Sequence, residues 1–287
     1  MKTFLDCLPC FIRQALDAVR LATSDEIIHE RVLREIMDAA GRMNLNQAPP
    51  VMGQQIHRIV RELSRNKDPY KHVKDRFNRH ALALYPQFKK IIERSPMPLE
   101  TAVRLAIAGN MIDLGPNSEI DPSGLDDAIG HAMSGRLLGN TGLLEGAVRS
   151  AENILYLGDN CGEIVFDRLL IEQLPVDKVT FAVRGSSVLN DATMADAEET
   201  GMTALVQVVD NGSDAPGTIL EECSDVFRQQ FDKADLVISK GQGNYETLSD
   251  AEKDIFFILK AKCPVIAQHI GCDLGSLVII FHRKEAA

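Results

Sequence analysis

The sequence predicts an α/β fold: a three-layer α/β/α domain with a mainly parallel sheet, preceded by an all-helical N-terminal region. Two observations predict it. Residues 1–150 carry apolar residues at helical spacing and no strand-like run of any strength, whereas from residue 152 onward short apolar runs alternate with helical patterns. Strands that alternate with helices pair in parallel and are covered on both faces. The boundary between a helical region or cap (1–150) and an α/β/α domain (151–287) is placed at this change of rhythm.

In chain order, Phe11, Ile12, Ala15, Leu16 and Val19 recur every 3.6 residues and predict a helix over 10–21. Ser24 and Asp25 are oxygen-bearing caps ahead of Ile27, Ile28, Val32, Ile36 and Met37. Pro49 and Pro50 punctuate. A helix over 54–63 precedes a loop at Asp68-Pro69-Tyr70, and further helices are predicted at 71–85, 88–94, 99–112, 126–138 and 143–151. In the second half, strands are predicted at 153–157, 178–183, 204–209, 235–239, 264–267 and 277–281. Helices are predicted between them at 164–174, 191–200, 218–234 and 254–260.

The 287 residues amount to about two domain-equivalents. Lys and Arg total 31 against 41 Asp and Glu, a formal charge of −10. Such a chain is a poor general binder of nucleic acid or of an anionic membrane. It can hold a cation, and an anionic ligand would need local positive charge. No run approaches the roughly 18 apolar residues of a membrane span, and Asp6 and Pro9 break the N-terminus before a signal-type segment forms. The expectation is a cytoplasmic protein with reduced cysteines. Cys7 and Cys10 form a lone C-x-x-C, and Cys161, Cys223, Cys263 and Cys272 give no second pair, which disfavours a zinc ribbon. A helix-start packing pair and a metal or redox centre are the two uses left for it.

Ligands of open α/β sheets bind beyond the carboxyl ends of the strands. The predicted strands end successively in Gly158-Asp159-Asn160-Cys161-Gly162-Glu163, in Arg184-Gly185-Ser186 with Asn190-Asp191 beyond, in Asp210-Asn211-Gly212-Ser213, and in Lys240-Gly241-Gln242-Gly243-Asn244 with Glu246 close behind. The predicted fifth strand is followed by His269, Gly271 and Asp273. Singly, each is an ordinary turn or cap. Jointly they surround one crevice. Asp159, Asn160 and Asp191 offer oxygen donors suited to Mg²⁺ or Mn²⁺. Arg184 and Lys240 can neutralise an anion, and the glycines of 240–244 let backbone N–H groups approach a phosphate. A cation facing positive side chains across a pocket suits phosphoryl transfer or phosphate hydrolysis. There is no G-x-x-x-x-G-K-[ST], no G-x-G-x-x-G after the first strand and no G-x-S-x-G, which disfavours P-loop nucleotidases, dinucleotide dehydrogenases and serine hydrolases.

These stretches resemble the metal-dependent damage-control phosphatases, long classed as a domain of unknown function. The resemblance is carried by Leu157-Gly158-Asp159-Asn160-Cys161-Gly162-Glu163, by Arg184-Gly185 through Asn190-Asp191-Ala192-Thr193, and by Lys240-Gly241-Gln242-Gly243-Asn244-Tyr245-Glu246. Ala108-Gly109-Asn110-Met111-Ile112-Asp113 is similar to the family's Gly-Asn-x-Ile-Asp segment, and Cys7-x-x-Cys10 to its stand-alone microbial subgroup. Ser187 stands where relatives often have Pro. The resemblance implies hydrolysis of small phosphate monoesters, such as sugar phosphates or damaged phosphometabolites, with Mg²⁺, Mn²⁺, Co²⁺ or Ni²⁺. It implies Asp159, Asn160 and Asp191 as metal ligands and Lys240 with Arg184 as phosphate-binding cations. It points to Glu163, Asn190, Gly241 and Asn244 as further substrate-binding positions.

On this reading water attacks phosphorus in line, and a covalent aspartyl phosphate on Asp159 is the alternative. His269 is a candidate general base weighed against a structural histidine. Two rival classes stay open: a non-catalytic phosphometabolite-binding module, and a metal or redox protein centred on Cys7 and Cys10. The expected partner is a small phosphorylated metabolite, with no nucleic acid and no membrane, and the sequence carries no sign of the oligomeric state.

Overall fold

The computed structural model describes residues 1–109, 130 and 133–283. Helices α1 (Cys7–Ala22), α2 (Glu26–Arg42) and α3 (Pro49–Ser64) close on one another through Phe11, Val19, Val32, Ile36, Met52 and Ile56. Asp25 caps α2 by accepting from the Ile27 N–H at 2.9 Å. Pro49 and Pro50 open α3, where a missing N–H costs nothing. Helix α4 (Lys71–Arg94) runs unbroken through Pro86, where two helices were expected. Ala81, Phe88 and Ile92, before and after that proline, face one core, and their packing offsets the lost backbone bond. Helix α5 (Pro98–Gly109) follows. Asn110 and Asp113, and residues 126–129, 131 and 132 of the helix expected over 126–138, lie outside the described residues.

Strand β1 (Leu137–Leu138) is a two-residue edge in the half expected to hold no strand. After α6 (Thr141–Ser150) the elements alternate: β2 (Ile154–Leu157), α7 (Glu163–Ile171), β3 (Val179–Val183), α8 (Met194–Glu199), β4 (Gln207–Asp210), α9 (Asp225–Lys233), β5 (Leu236–Lys240), α10 (Gln242–Leu248), β6 (Ile255–Lys260), α11 (Pro264–Ile270) and β7 (Leu277–His282). The sheet order is β1-β7-β6-β5-β2-β3-β4, and the one antiparallel pair is β6 with β7.

Two elements exchange identity relative to the sequence reading. Residues 254–260, read as helix, hold strand β6, and 264–267, read as strand, belong to helix α11. A short, fully apolar run cannot be assigned by periodicity alone. The deciding signals are Pro264 in the first turn and Gly271 in the left-handed conformation that ends α11. The segment read as helix over 191–200 is helical only from Met194, because Thr193 and Asp196 form a capping box there. Asp191 is thereby left in the loop. The stretch 218–234 is helical only in a short 3₁₀ turn (Leu220–Glu222) and α9, which Ser224 caps.

Alternation along the strands builds a core on each face of the sheet. Ile154, Tyr156, Phe181 and Ile238 pack with α4, α5 and α7, while Leu155, Leu157, Val237 and Phe257 pack with α9, α10 and α11. Helices α4–α6 are thus part of the sandwich around the sheet, and α1–α3 have a core of their own. From β2 the chain proceeds to β3 and β4 on one side, then crosses to β5 on the other. That reversal opens a crevice at the carboxyl ends of β2 and β5. Among the described residues no helix is long and apolar enough to cross a membrane.

Candidate functional site

The loop after β2 is laced to the segment before α8. The Ala192 N–H donates to the Asp159 carbonyl at 2.8 Å and the Cys161 N–H to the Asn190 carbonyl at 2.8 Å. Asn160 and Asp191 form an isolated antiparallel bridge. These bonds bring Asp159, Asn160 and Asp191 to one wall of a cleft of about 420 Å³. Helix α10 is pressed against the same wall. Gly241 has φ 80° and ψ 166°, a region only glycine enters readily, and a methyl there would lie 1.9 Å from Asp159 Oδ2. Gly241→Ala is therefore expected to cost about 1–3 kcal/mol of stability and to displace Asp159. If Asp159 is a metal ligand, calorimetric titration with Mn²⁺ should find weaker binding in the variant, and unchanged affinity would argue against that role.

The electrostatics of this wall are unbalanced. Burial lifts Asp159 to about 8, reinforced by Glu163 and Asp191 and opposed by Arg184 and Lys262. Burial also raises Asp191, against the attraction of Arg184. Arg184 Nε donates to Asp191 Oδ2 at 2.7 Å, and its Nη2 stands 3.8 Å from Asp159 Oδ1 without a hydrogen-bond partner. One guanidinium thus faces two largely buried carboxylates with Glu163 close by. Asn160 donates its amide N–H groups to Asp159 at 2.9 Å and Glu163 at 3.0 Å, which turns its carbonyl oxygen to other use. Two crowded carboxylates and an amide oxygen fit a hard divalent cation with water completing the shell. Among the described residues no group of three His, Cys, Asp or Glu side chains is placed to hold a metal.

Several expected site residues face elsewhere. Lys240 does not reach the cleft: it is fully buried beneath it, donating to Glu163 at 2.6 Å, Asp167 at 2.6 Å and the Ala106 carbonyl at 3.0 Å. Burial opposes its charge, and Asp167 and Glu163 more than offset that, so its pKa is raised. Glu163 is buried between Lys240 and Asn160 and acts on the wall from behind. Arg184 is likewise buried behind the carboxylates and is not among the residues lining the cleft. Asn244 is enclosed, donating to the Gly158 and Lys240 carbonyls at 3.1 and 2.8 Å and accepting from Thr218, so it ties two strand ends together. The Gly241 N–H donates to the Ile258 carbonyl. Asn190 contributes its backbone carbonyl to the loop lacing. His269, placed by α11 rather than by a strand end, pairs with the Tyr245 hydroxyl at 2.7 Å.

Other residues line the cleft instead. Lys260 and Lys262 enter it from the end of β6, the strand the sequence reading missed. Gln242 and Glu246 enter from α10, one turn apart. Cys7 and Cys10, at the first turn of α1, line it with Cys263, and all six cysteines are free thiols. A Lys-x-Lys at the end of a strand is the signal that would have found the two lysines, whereas Gln242 and Glu246 already stand in the strand-end stretch read around the crevice, without a site role.

Comparison with known proteins agrees with this fold. Residues 3–278 match the model of the damage-control phosphatase ARMT1-like domain. A damage-control phosphatase of Pyrococcus horikoshii is 34% identical over 99% of both chains. One of Archaeoglobus fulgidus is 33% identical over 97% of this chain and 98% of the relative. An uncharacterised protein of Methanocaldococcus jannaschii is 37% identical over 96% of this chain and 94% of its own length. The crystal structure of the Pyrococcus horikoshii protein, described as of the DUF89 family, superposes with a TM-score of 0.88 over 99% of this chain and 100% of that one.

Proposed function

The chain belongs to the damage-control phosphatase ARMT1-like family, and from that premise we propose that it is a divalent-metal-dependent phosphatase of small phosphate monoesters, sugar phosphates or damaged phosphometabolites. One observation carries the reading: Asp159, Asn160 and Asp191 converge on a cleft that Lys260 and Lys262 also line. Two carboxylates and an amide oxygen would hold Mg²⁺, Mn²⁺, Co²⁺ or Ni²⁺, which supplies polarisation of the phosphoryl group when bound.

The chain's own residues do the rest. Lys260 and Lys262 draw the phosphate dianion into a cleft that is otherwise acidic and stabilise charge on its non-bridging oxygens. Arg184 holds Asp191 in place from behind, through the 2.7 Å bond, and keeps Asp159 and Asp191 from repelling each other apart. Glu163 fixes the Asn160 amide by accepting from it, which would leave the amide oxygen available to a cation. Phe11, Pro49, Pro50 and Pro264 wall the outer cleft and exclude water from the phosphate.

Phosphate release from p-nitrophenyl phosphate should be undetectable in EDTA and restored by one or more of the four cations. Lys262→Ala should raise KM about tenfold, the loss of roughly 1.4 kcal/mol of charge-assisted binding, with an unchanged melting temperature. Tight binding of phosphometabolites without release under any cation would instead favour a binding module. Activity that tracks zinc or iron content, lost in Cys7→Ser, would favour the cysteine-centred reading.

A further inference from the structure

The cleft has a proton-bearing group that the phosphate-holding residues leave unused. Among the described residues four carboxyls line it: Asp159 and Asp191 on the ligand wall, Asp6 exposed at the rim, and Glu246. Glu246 lies on the cleft side of α10, five residues after the Gly241 that abuts Asp159. At 1.5 Å per residue that is about 7 Å along the helix from the residue that abuts Asp159. Gln242, one turn earlier, donates to Glu246 Oε1 at 2.9 Å and to Cys263 Sγ at 3.6 Å, while its own carbonyl oxygen is buried without a partner. An oriented carboxyl beside an unfilled acceptor is a corner built for a hydroxyl-bearing group.

We propose that Glu246 is the catalytic acid of this phosphatase, protonating the ester oxygen of the departing alcohol, with Gln242 accepting from a hydroxyl of the same alcohol. The inference rests on the phosphatase reading above. In the step, a water oxygen bonds to phosphorus as the bond to the ester oxygen breaks. The Glu246 proton passes to that oxygen, giving a neutral alcohol. The attacking water leaves one proton on the phosphate product and loses the other to solvent, from which Glu246 is reprotonated. Burial supports this protonation state: it lifts Glu246 to about 7, against the pull of Gln242 and of the N-terminal ammonium. The Cys7 thiol, on α1 opposite, is also raised by burial and adds no positive charge to the corner. Among the described residues, His269 is committed to Tyr245, and Asp167 to Lys240 and Tyr156.

The test compares leaving groups. Wild type and Glu246→Gln, with Mn²⁺, are assayed on p-nitrophenyl phosphate, whose phenolate leaves unaided, and on glycerol 1-phosphate, whose alkoxide needs a proton. Loss of an acid should lower kcat on the alkyl ester by about 100-fold or more and change the aryl rate by less than about threefold. Equal losses on both esters, or loss on neither, overturn the role. Should Glu246→Gln not fold, Glu246→Asp carries the same comparison with a smaller alkyl-specific loss. Wild type that cleaves neither ester with any divalent cation overturns the phosphatase reading itself, and wild type that cleaves only the aryl ester overturns the acid alone.

Discussion

Asp159→Asn is expected to abolish metal-supported phosphate release and, in EDTA, to make the protein more heat-stable. On the proposed reading, the first effect would follow from taking a charged donor from a cation that would contribute several kcal/mol at the transition state, about a thousandfold or more in rate. The second follows from crowding. Asp159 shares a largely buried wall with Asp191 and Glu163, and Asn is its neutral isostere. The sign is set by a folded-state pKa raised from 3.8 to about 8. The native state holds that proton more tightly than the unfolded chain, so wild-type stability declines as pH rises from about 4 to 8 and levels off above. The variant lacks that slope. Its melting temperature in EDTA should exceed the wild type's by an amount that grows through this window, reaching 2 °C or more by pH 8 if the charge costs about 1 kcal/mol. Melting curves at pH 5 and pH 8, with and without Mn²⁺, check both halves. A variant less stable than wild type at pH 8, or one still shifted upward by Mn²⁺, contradicts the assignment. Such exchange of stability for function is expected where like charges are gathered for a ligand.

Much of this wall was legible in sequence because it obeys local rules. Asp159 and Asn160 follow a short buried strand directly, and Asp191 follows the next strand within one loop, so topology alone brings them together. The helical spacing of Phe11, Ala15 and Val19 likewise fixed α1 without any tertiary information. What escaped reading were positions decided by side-chain direction. Lys240 ends β5 in the same phase as Leu236 and Ile238, and both of those face the α4–α7 core. Period-two counting therefore points the lysine under the sheet end and away from the cleft. Its partners carry a second signal. Glu163 and Asp167 stand one turn apart on a helix that is apolar nearly all round, an arrangement that demands a buried cation. Lys260 and Lys262 escaped for another reason. Ile255–Lys260 is apolar on both faces, and a two-sided buried strand carries no alternation to separate it from a helix. Once that strand was lost, its end, and the cations on it, could not be assigned to the crevice.

Lys240→Met is the sharpest test of this redistribution of roles. If Lys240 held the phosphate, its loss would raise KM and leave the fold intact. In the observed geometry its ammonium is the sole basic group bonded to Glu163 and Asp167 among the described residues, all three being fully buried or nearly so. Removing one partner of a buried ionic group costs about 3–5 kcal/mol, which lowers the melting temperature of a chain this size by about 10 °C. Burial raises Asp167 to about 6 even with the lysine present, so the variant should recover part of the loss as pH falls and the orphaned carboxyls take up protons. Combining Lys240→Met with Glu163→Gln and Asp167→Asn leaves no charge in this cluster and should recover most of the stability. It should not recover metal affinity to the same degree. In wild type the Glu163 carboxylate accepts from the Asn160 amide at 3.0 Å, whereas a Gln there presents one acceptor and a competing donor. A triple variant with restored melting temperature and weakened Mn²⁺ binding would therefore identify the buried cluster as the scaffold that aims Asn160. Full recovery of both would reduce the cluster to core packing.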